Sequence, residues 1–248
     1  MELNHALRTT GAIRDFRPDP VPDAVVHRVL DTARFAPSGG NRQGWRVVVV
    51  NDPETRVRLR DLYLVGWYEY LAQVEAGLVP WAPITDEQSE ARAITNAPAT
   101  AERAAQGPGG FAEHLDTVPV LLAALADLRA LAAVDKGADR YTFAGAASIY
   151  PFTWSVLLAA RDEGLGGVIT TMPIRQEPDV KTLLGVPDEL ALAAVIALGY
   201  PRHQPRRLSR RSVDEFATVD RFDGPAFSPS LGPVSRPIGP AEPVVGSV

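Results

Sequence analysis

The chain contains no cysteine. Disulfides, thiolate-held zinc, iron–sulfur ligation and a cysteine nucleophile are therefore excluded by composition. Long hydrophobic runs are also missing. The apolar runs VPVLLAALA at 118–126 and LALAAVIALGY at 190–200 fall well short of the ~20 residues needed to cross a bilayer, and the N-terminal MELNHALRTT has no apolar core of a signal peptide. A soluble, cytoplasmic protein with no membrane partner is the expectation. No block of positive charge accompanies the formal net charge of −5, which argues against general nucleic-acid binding, although PRRLSRR at 205–211 stands out as a basic cluster. His5, His27, His114 and His203 lack the pairwise spacing of a metal site and read as surface residues. The carboxylates fall mostly at helix starts and on exposed faces, so no acid/base pair can be singled out. GLGGVITT at 164–171 lacks the third glycine of G-x-G-x-x-G and follows a helix rather than a strand, which rejects a Rossmann site. No Walker motif occurs, and Ser38 in PSGG is not the nucleophile of a G-x-S-x-G elbow.

What is present is enough apolar material, 46% of 248 residues, to build a large core. From Pro22 to Ala36, Val25, Val26, Val29, Leu30 and Ala33 share one helical face, Asp23 favours the first turn, and Pro37 prevents continuation. Residues 46–50, four of them the β-branched valines at 47–50, read as a strand. Asp52-Pro53-Glu54 then supplies a cap, a first-turn proline and a first-turn acid for a helix running into the 70s. Between 82 and 117 the period is lost and QGPGG intervenes, which suggests a variable excursion or lid. Residues 118–126 fit a buried strand, and 144–161 a long, nearly all-apolar helix needing cover on most sides, as at a dimer interface. A short helix over 178–184 and a strand over 190–200 complete the pattern. Interspersed strands and helices imply α/β or α+β with a layered sheet. A single domain is expected over 1–223, with 224–248 as an extended tail because prolines recur at 225, 229, 233, 237, 240 and 243.

Cations and backbone donors are scattered along this pattern. Arg8 and Arg14 flank TTGAI; Ser38, Asn41, Arg42 and Gln43 sit in the turn after the first long helix; Thr170 and Thr171 end the glycine-rich segment; Arg206, Arg207, Arg210 and Arg211 come late. Trp45, Phe16 and Tyr150 read as core packing.

In order and spacing, AIRDF at 12–16, PDPVPDAVVHRVLDTARFAPSGGNRQGW at 18–45, AASIYPFTWSVLLAARDEGLGGVITTMP at 146–173, LLGVPDELALAAVIALGYP at 183–201 and RRSVDEFATVDRF at 210–222 resemble the nitroreductase family of FMN-dependent oxidoreductases. The likeness covers roughly residues 8 to 222. It implies an α+β fold with a mainly antiparallel central sheet flanked by helices, in an intertwined homodimer. It implies FMN as cofactor, NADPH or NADH as transient hydride donor, and ping-pong reduction of nitroaromatics, quinones or similar small-molecule acceptors through flavin N5. By the same resemblance, Arg14 and Arg211, with Arg210 or Arg207 nearby, would hold the phosphate or the pyrimidine edge. Pro37, Ser38, Gly39 and Asn41 would wrap the ring of the partner subunit. Gly167 would keep the flavin-facing segment slim, and Thr170 or Thr171 would meet N5. No side chain is assigned acid/base work. Where the family commonly carries Arg-Arg-Ser, this chain has Thr10-Gly11-Ala12, with Arg8, Thr9 or Thr10 as possible replacements; Gly44 stands where the family has proline. Two alternatives remain open at this stage. One is a non-enzymatic flavin-binding or sequestering relative, and the other a flavoenzyme performing dehydrogenation or reductive dehalogenation. Residues 67–117 are expected to govern the substrate.

Overall fold

The computed structural model describes residues 1–139 and 143–228 and divides the chain into two units, Met1–Leu208 and Ser209–Val248. In the first unit, α1 (Leu3–Thr9) precedes α2 (Asp23–Ala33), β1 (Trp45–Val49) and the 23-residue α3 (Pro53–Glu75). Then come α4 (Glu87–Ile94), α5 (Ala97–Ala104), β2 (Val120–Asp127), α6 (Tyr150–Asp162), β3 (Gly166–Thr170), α7 (Glu177–Leu184) and β4 (Leu190–Gly199). The four strands form one sheet in the order β1-β2-β4-β3, every neighbour antiparallel. The class is α+β.

Both faces of the sheet are covered, which is why its two central strands read as continuous apolar runs rather than as an alternation. All eight residues of β2 are buried. The period of two still operates beneath that uniformity. Leu122, Ala124 and Ala126 pack with α2 and α6 around Val29, Val156 and Ala160, while Leu121, Ala123 and Leu125 pack on the other face with Leu59, Tyr63 and Val180. Between Ala124 and Leu125 the pairing to β4 skips a residue, so that Ala194 and Leu192 are the successive partners and Ala193 bulges. The Ala193 carbonyl freed there accepts the Tyr150 hydroxyl at 3.2 Å.

The capping chemistry of α3 is as the sequence suggests: the Asp52 carboxylate accepts the Thr55 N–H at 2.8 Å, with Pro53 in the first turn. α6 is shorter than the expected 144–161. Residues 145–148 form a single 3₁₀ turn, and the α-helix begins only at Tyr150, next to Pro151, whose missing N–H suits a first turn. The segment 82–117, expected as an excursion, carries α4 and α5, both packed on α3. Asp86 caps α4 by accepting from Gln88 N–H at 3.2 Å, and Pro98 opens α5.

The second unit contains a capping box at Ser212 and Glu215 and a bridge between Thr218 and Ala226. The first residues assigned to the tail thus fold back in a turn; 229–248 lie outside the described residues.

Candidate functional site

The N-terminal segment reaches the sheet at its β3 edge. Ile13 N–H donates to the Gly167 carbonyl at 2.9 Å, and Ala12 bridges Gly167 in parallel, so residues 12–14 lie outside β3. This fixes Arg14 beside the strand that ends at Thr170. Gly167 itself is buried. A Cβ on it would stand 2.7 Å from the Ala197 carbonyl and would collide with Leu198, so its smallness serves the packing of β3 against β4.

Thr170 and Thr171 take different positions. Thr170 is buried, and its hydroxyl donates to the Tyr63 hydroxyl of α3 at 3.5 Å. Burial raises the Tyr63 pKa above its ordinary value, and the Thr170 hydrogen bond and the Arg14 charge oppose that rise. Tyr63 and Thr170 therefore meet at one place, and the Arg14 charge acts on that pair. Thr171 is exposed and follows at the end of the strand. It lines a cavity of about 580 Å³ together with Trp81, Tyr150, Met172 and Arg175. Tyr150, expected in the core, is instead 40% exposed at the first turn of α6 and forms part of that wall. Trp45 does pack in the core, stacked on Phe152 with ring centroids 4.9 Å apart.

Arg14 itself lines a second cavity of about 500 Å³, together with Phe16, Arg17, Phe111, His114 and Arg202 among others. Arg17 pairs with Asp19 at 2.8 Å and Arg202 with Asp15 at 3.2 Å. Among the described residues Arg14 pairs with no carboxylate. Its charge is thus available to a ligand. His114, read from sequence as a plain surface residue, lines this cavity while its Nε2 meets the Pro108 carbonyl at 2.9 Å.

A further seam joins the end of α1 to residues 204–208. Leu208 N–H donates to the Arg8 carbonyl at 3.2 Å, and Gln204 Nε2 to the Thr9 carbonyl at 2.8 Å. This brings the exposed Arg206 and Arg207 to the segment that carries Thr10-Gly11-Ala12. Thr9 turns its hydroxyl back to the His5 carbonyl at 2.7 Å, whereas Thr10 Oγ1 and Gln204 Oε1 are buried without a hydrogen-bond partner. A buried hydroxyl that can donate or accept, a buried acceptor oxygen and nearby cations suit the phosphate and ribityl hydroxyls of FMN. Of the two candidate replacements for the family's serine, Thr10 is the one left uncommitted.

The turn after α2 sits at the opposite edge of the sheet. Asn41 N–H donates to the Ser38 carbonyl at 2.9 Å, Gln43 N–H to Ser38 Oγ at 3.0 Å, and Gly39 N–H to Ser148 Oγ at 3.0 Å. Pro37, Gly39, Gly40 and Asn41 are exposed. Gly40 (φ 59°) and Asn41 (φ 52°) adopt the left-handed region, which a glycine and an asparagine tolerate best. The turn leads into β1, and Thr170 ends β3 with Thr171 just after it, so that two strands lie between them. Three strand spacings of ~4.8 Å separate the two edges by about 14 Å. Arg210 and Arg211 lie in the second unit and are exposed there, Arg210 donating to the Ser209 carbonyl at 2.7 Å.

Among the described residues no group of three or more His, Asp or Glu side chains is placed to hold a metal ion. None of their helices is long and apolar enough to cross a membrane.

The model of the Nitroreductase family matches residues 7–200. A curated NADH dehydrogenase of Thermus thermophilus is 30% identical over 194 residues, 78% of this chain and 83% of that protein. Iodotyrosine deiodinase 1 of Rattus norvegicus is 27% identical over 216 residues, 86% of this chain and 68% of its own. In fold, the chain is similar to NADPH:FMN oxidoreductase from Vibrio harveyi, solved with NAD+, at a TM-score of 0.58 and 19% identity, covering 88% of this chain and 76% of that one.

Proposed function

The chain belongs to the nitroreductase family of FMN-dependent oxidoreductases, and from that premise we propose that it is an NAD(P)H-dependent reductase of electron-poor small molecules such as nitroaromatics and quinones. The reading is carried by one observation: the unpaired Arg14 lies beside edge strand β3, whose end carries Thr170, bonded to Tyr63 of α3, and the exposed Thr171. FMN, when bound, supplies a ring that takes hydride from a reduced nicotinamide and gives it up to a second molecule at the same face. The absence of a dinucleotide fingerprint fits a nicotinamide that docks only transiently.

The chain's own residues bind and orient. Arg14 would face the pyrimidine edge, where a positive charge favours the anionic reduced ring. Tyr63 fixes the Thr170 hydroxyl inward, which leaves Thr171 as the residue that would meet N5. Thr10, Arg206 and Arg207 would serve the ribityl phosphate, and Arg210 and Arg211 remain proposed as further phosphate ligands. The turn Pro37, Ser38, Gly39 and Asn41 would cover the ring of a second copy, since within one chain it stands at the far sheet edge from Thr171. A homodimer agrees with α6, which leaves Tyr150 and Trp154 exposed at 40% and 37%, one helical turn apart. We place the protein in the cytoplasm, without nucleic-acid or membrane partners.

The test is a visible spectrum of the purified protein after incubation with FMN and gel filtration, followed by anaerobic NADH or NADPH. Retained flavin that either nucleotide bleaches is the expected result. No retained flavin would overturn the proposal, and retained flavin that neither bleaches would point to a binding-only relative. The deiodinase similarity favours a second reading, reductive dehalogenation, distinguished by halide release from halogenated phenols under the same conditions.

A further inference from the structure

The cavity next to Thr171 has walls of a consistent chemistry. Trp81 and Tyr150 give it aromatic surfaces, and Glu87 and Glu90 add two carboxylates. Among the described residues neither carboxylate forms an ion pair. The cavity's arginine does not offset them: Arg175 donates to Glu69 at 2.9 Å and stacks 5.1 Å from the Trp81 ring centroid. Trp81 is firmly held. Its backbone N–H donates at 3.0 Å to the side-chain oxygen of Gln73, which is fully buried, and its φ of 49° is one that a bulky residue rarely adopts. The indole N–H is buried without an acceptor. An aromatic wall, two free carboxylates and a neutralised arginine thus surround a space of about 580 Å³ beside a residue proposed to face the flavin.

We infer that this cavity selects planar aromatic electron acceptors carrying an ammonium or other cationic substituent, a substrate class narrower than the proposed function requires. The inference rests on that proposal only for the role of Thr171. The aromatic body lies against Trp81 and Tyr150, and the cation faces Glu87 and Glu90. An anionic aromatic meets two like charges and is rejected.

The test uses three non-reducible probes of similar size, benzyltrimethylammonium, benzyl alcohol and benzoate, titrated into FMN-treated protein with tryptophan fluorescence as the readout. Cation binding about tenfold tighter than the alcohol, with benzoate weakest, is expected. In Glu87→Gln/Glu90→Gln that preference shrinks to within about twofold while affinity for the alcohol is kept. Equal or weaker binding of the cation, or a preference that survives the double substitution, overturns the inference. Visible absorbance of the same samples reports flavin separately, so a cation preference without flavin sustains this inference and sinks the functional proposal.

Discussion

Substituting Gly167 by alanine tests whether the β3 edge is built as tightly as the structure describes. The added Cβ would stand 2.7 Å from the Ala197 carbonyl and 3.0 Å from Leu157 Cδ2, and would overlap Leu198. Two of those neighbours are side chains that can turn. The third is backbone of β4, hydrogen-bonded on both sides within the sheet, and cannot yield without breaking ladder bonds. Overpacking of a core costs about 1–3 kcal/mol, and a rigid backbone neighbour places this change near 3 kcal/mol. For a chain of this size that corresponds to a fall in Tm of roughly 6–12 °C. Displacing β3 also lengthens the Ile13 N–H bond to the Gly167 carbonyl, so FMN retention should fall with stability. Thermal melts and urea titrations followed by circular dichroism provide the measurement. Gly107→Ala, whose Cβ would meet only the Ala104 carbonyl at 3.6 Å, is the control and should shift stability by less than about 0.5 kcal/mol. If Gly167→Ala melts with the control, the tight packing of β3 against β4 is wrong.

Tyr63→Phe removes the acceptor of the Thr170 hydroxyl and leaves that group buried. The bond is long, at 3.5 Å, so a loss of about 1 kcal/mol in urea-induced unfolding is expected, and it should largely vanish in a Thr170→Val background. Asp127 is held at a pKa of about 2 chiefly by hydrogen bonds from Arg129, well below its ordinary 3.8. A folded-state pKa that is lowered contributes stability above pH ~4 and loses it as pH falls through about 2. Melting temperatures recorded across that window should therefore drop more steeply in the wild type than in Asp127→Asn; parallel curves would refute the assignment.

The elements that carry strong local signals were legible in the sequence. Asp23 and Val29 place α2, Asp52 and Pro53 start α3, and the apolar runs at 118–126 and 190–200 give the two central strands, because a sheet covered on both faces demands them. The start of α6 was not, since residues 144–149 are as apolar as the helix they precede and only the geometry around Pro151 separates them. α4 and α5 did leave traces, Asp86 as a cap and Pro98 at a first turn, but eight residues each gives little periodicity to detect. Around the β3 edge, the resemblance names Arg14 and Thr171 as proposed flavin contacts, whereas Tyr63 carries no such signal. It lies in the middle of a long helix and meets Thr170 across 107 residues of chain. Nothing local distinguishes it from a core tyrosine. Trp81 escaped for a similar reason: its place depends on the buried Gln73 and on Arg175, both remote from any motif.

The central claim is that one flavin is held by Arg14 and Thr171 of one chain and by the Ser38–Asn41 turn of another. Two separate lesions test it, Arg14→Glu at the sheet edge and Gly40→Val in the turn, where a β-branched residue cannot easily follow a φ of 59°. Each variant alone should lose FMN. Co-expressed, they form mixed dimers in which one site carries both lesions and the other neither, so bound flavin should recover to about a quarter of the wild-type sites. FMN stoichiometry that stays at the level of the single variants would contradict the account, because each turn would then serve its own chain.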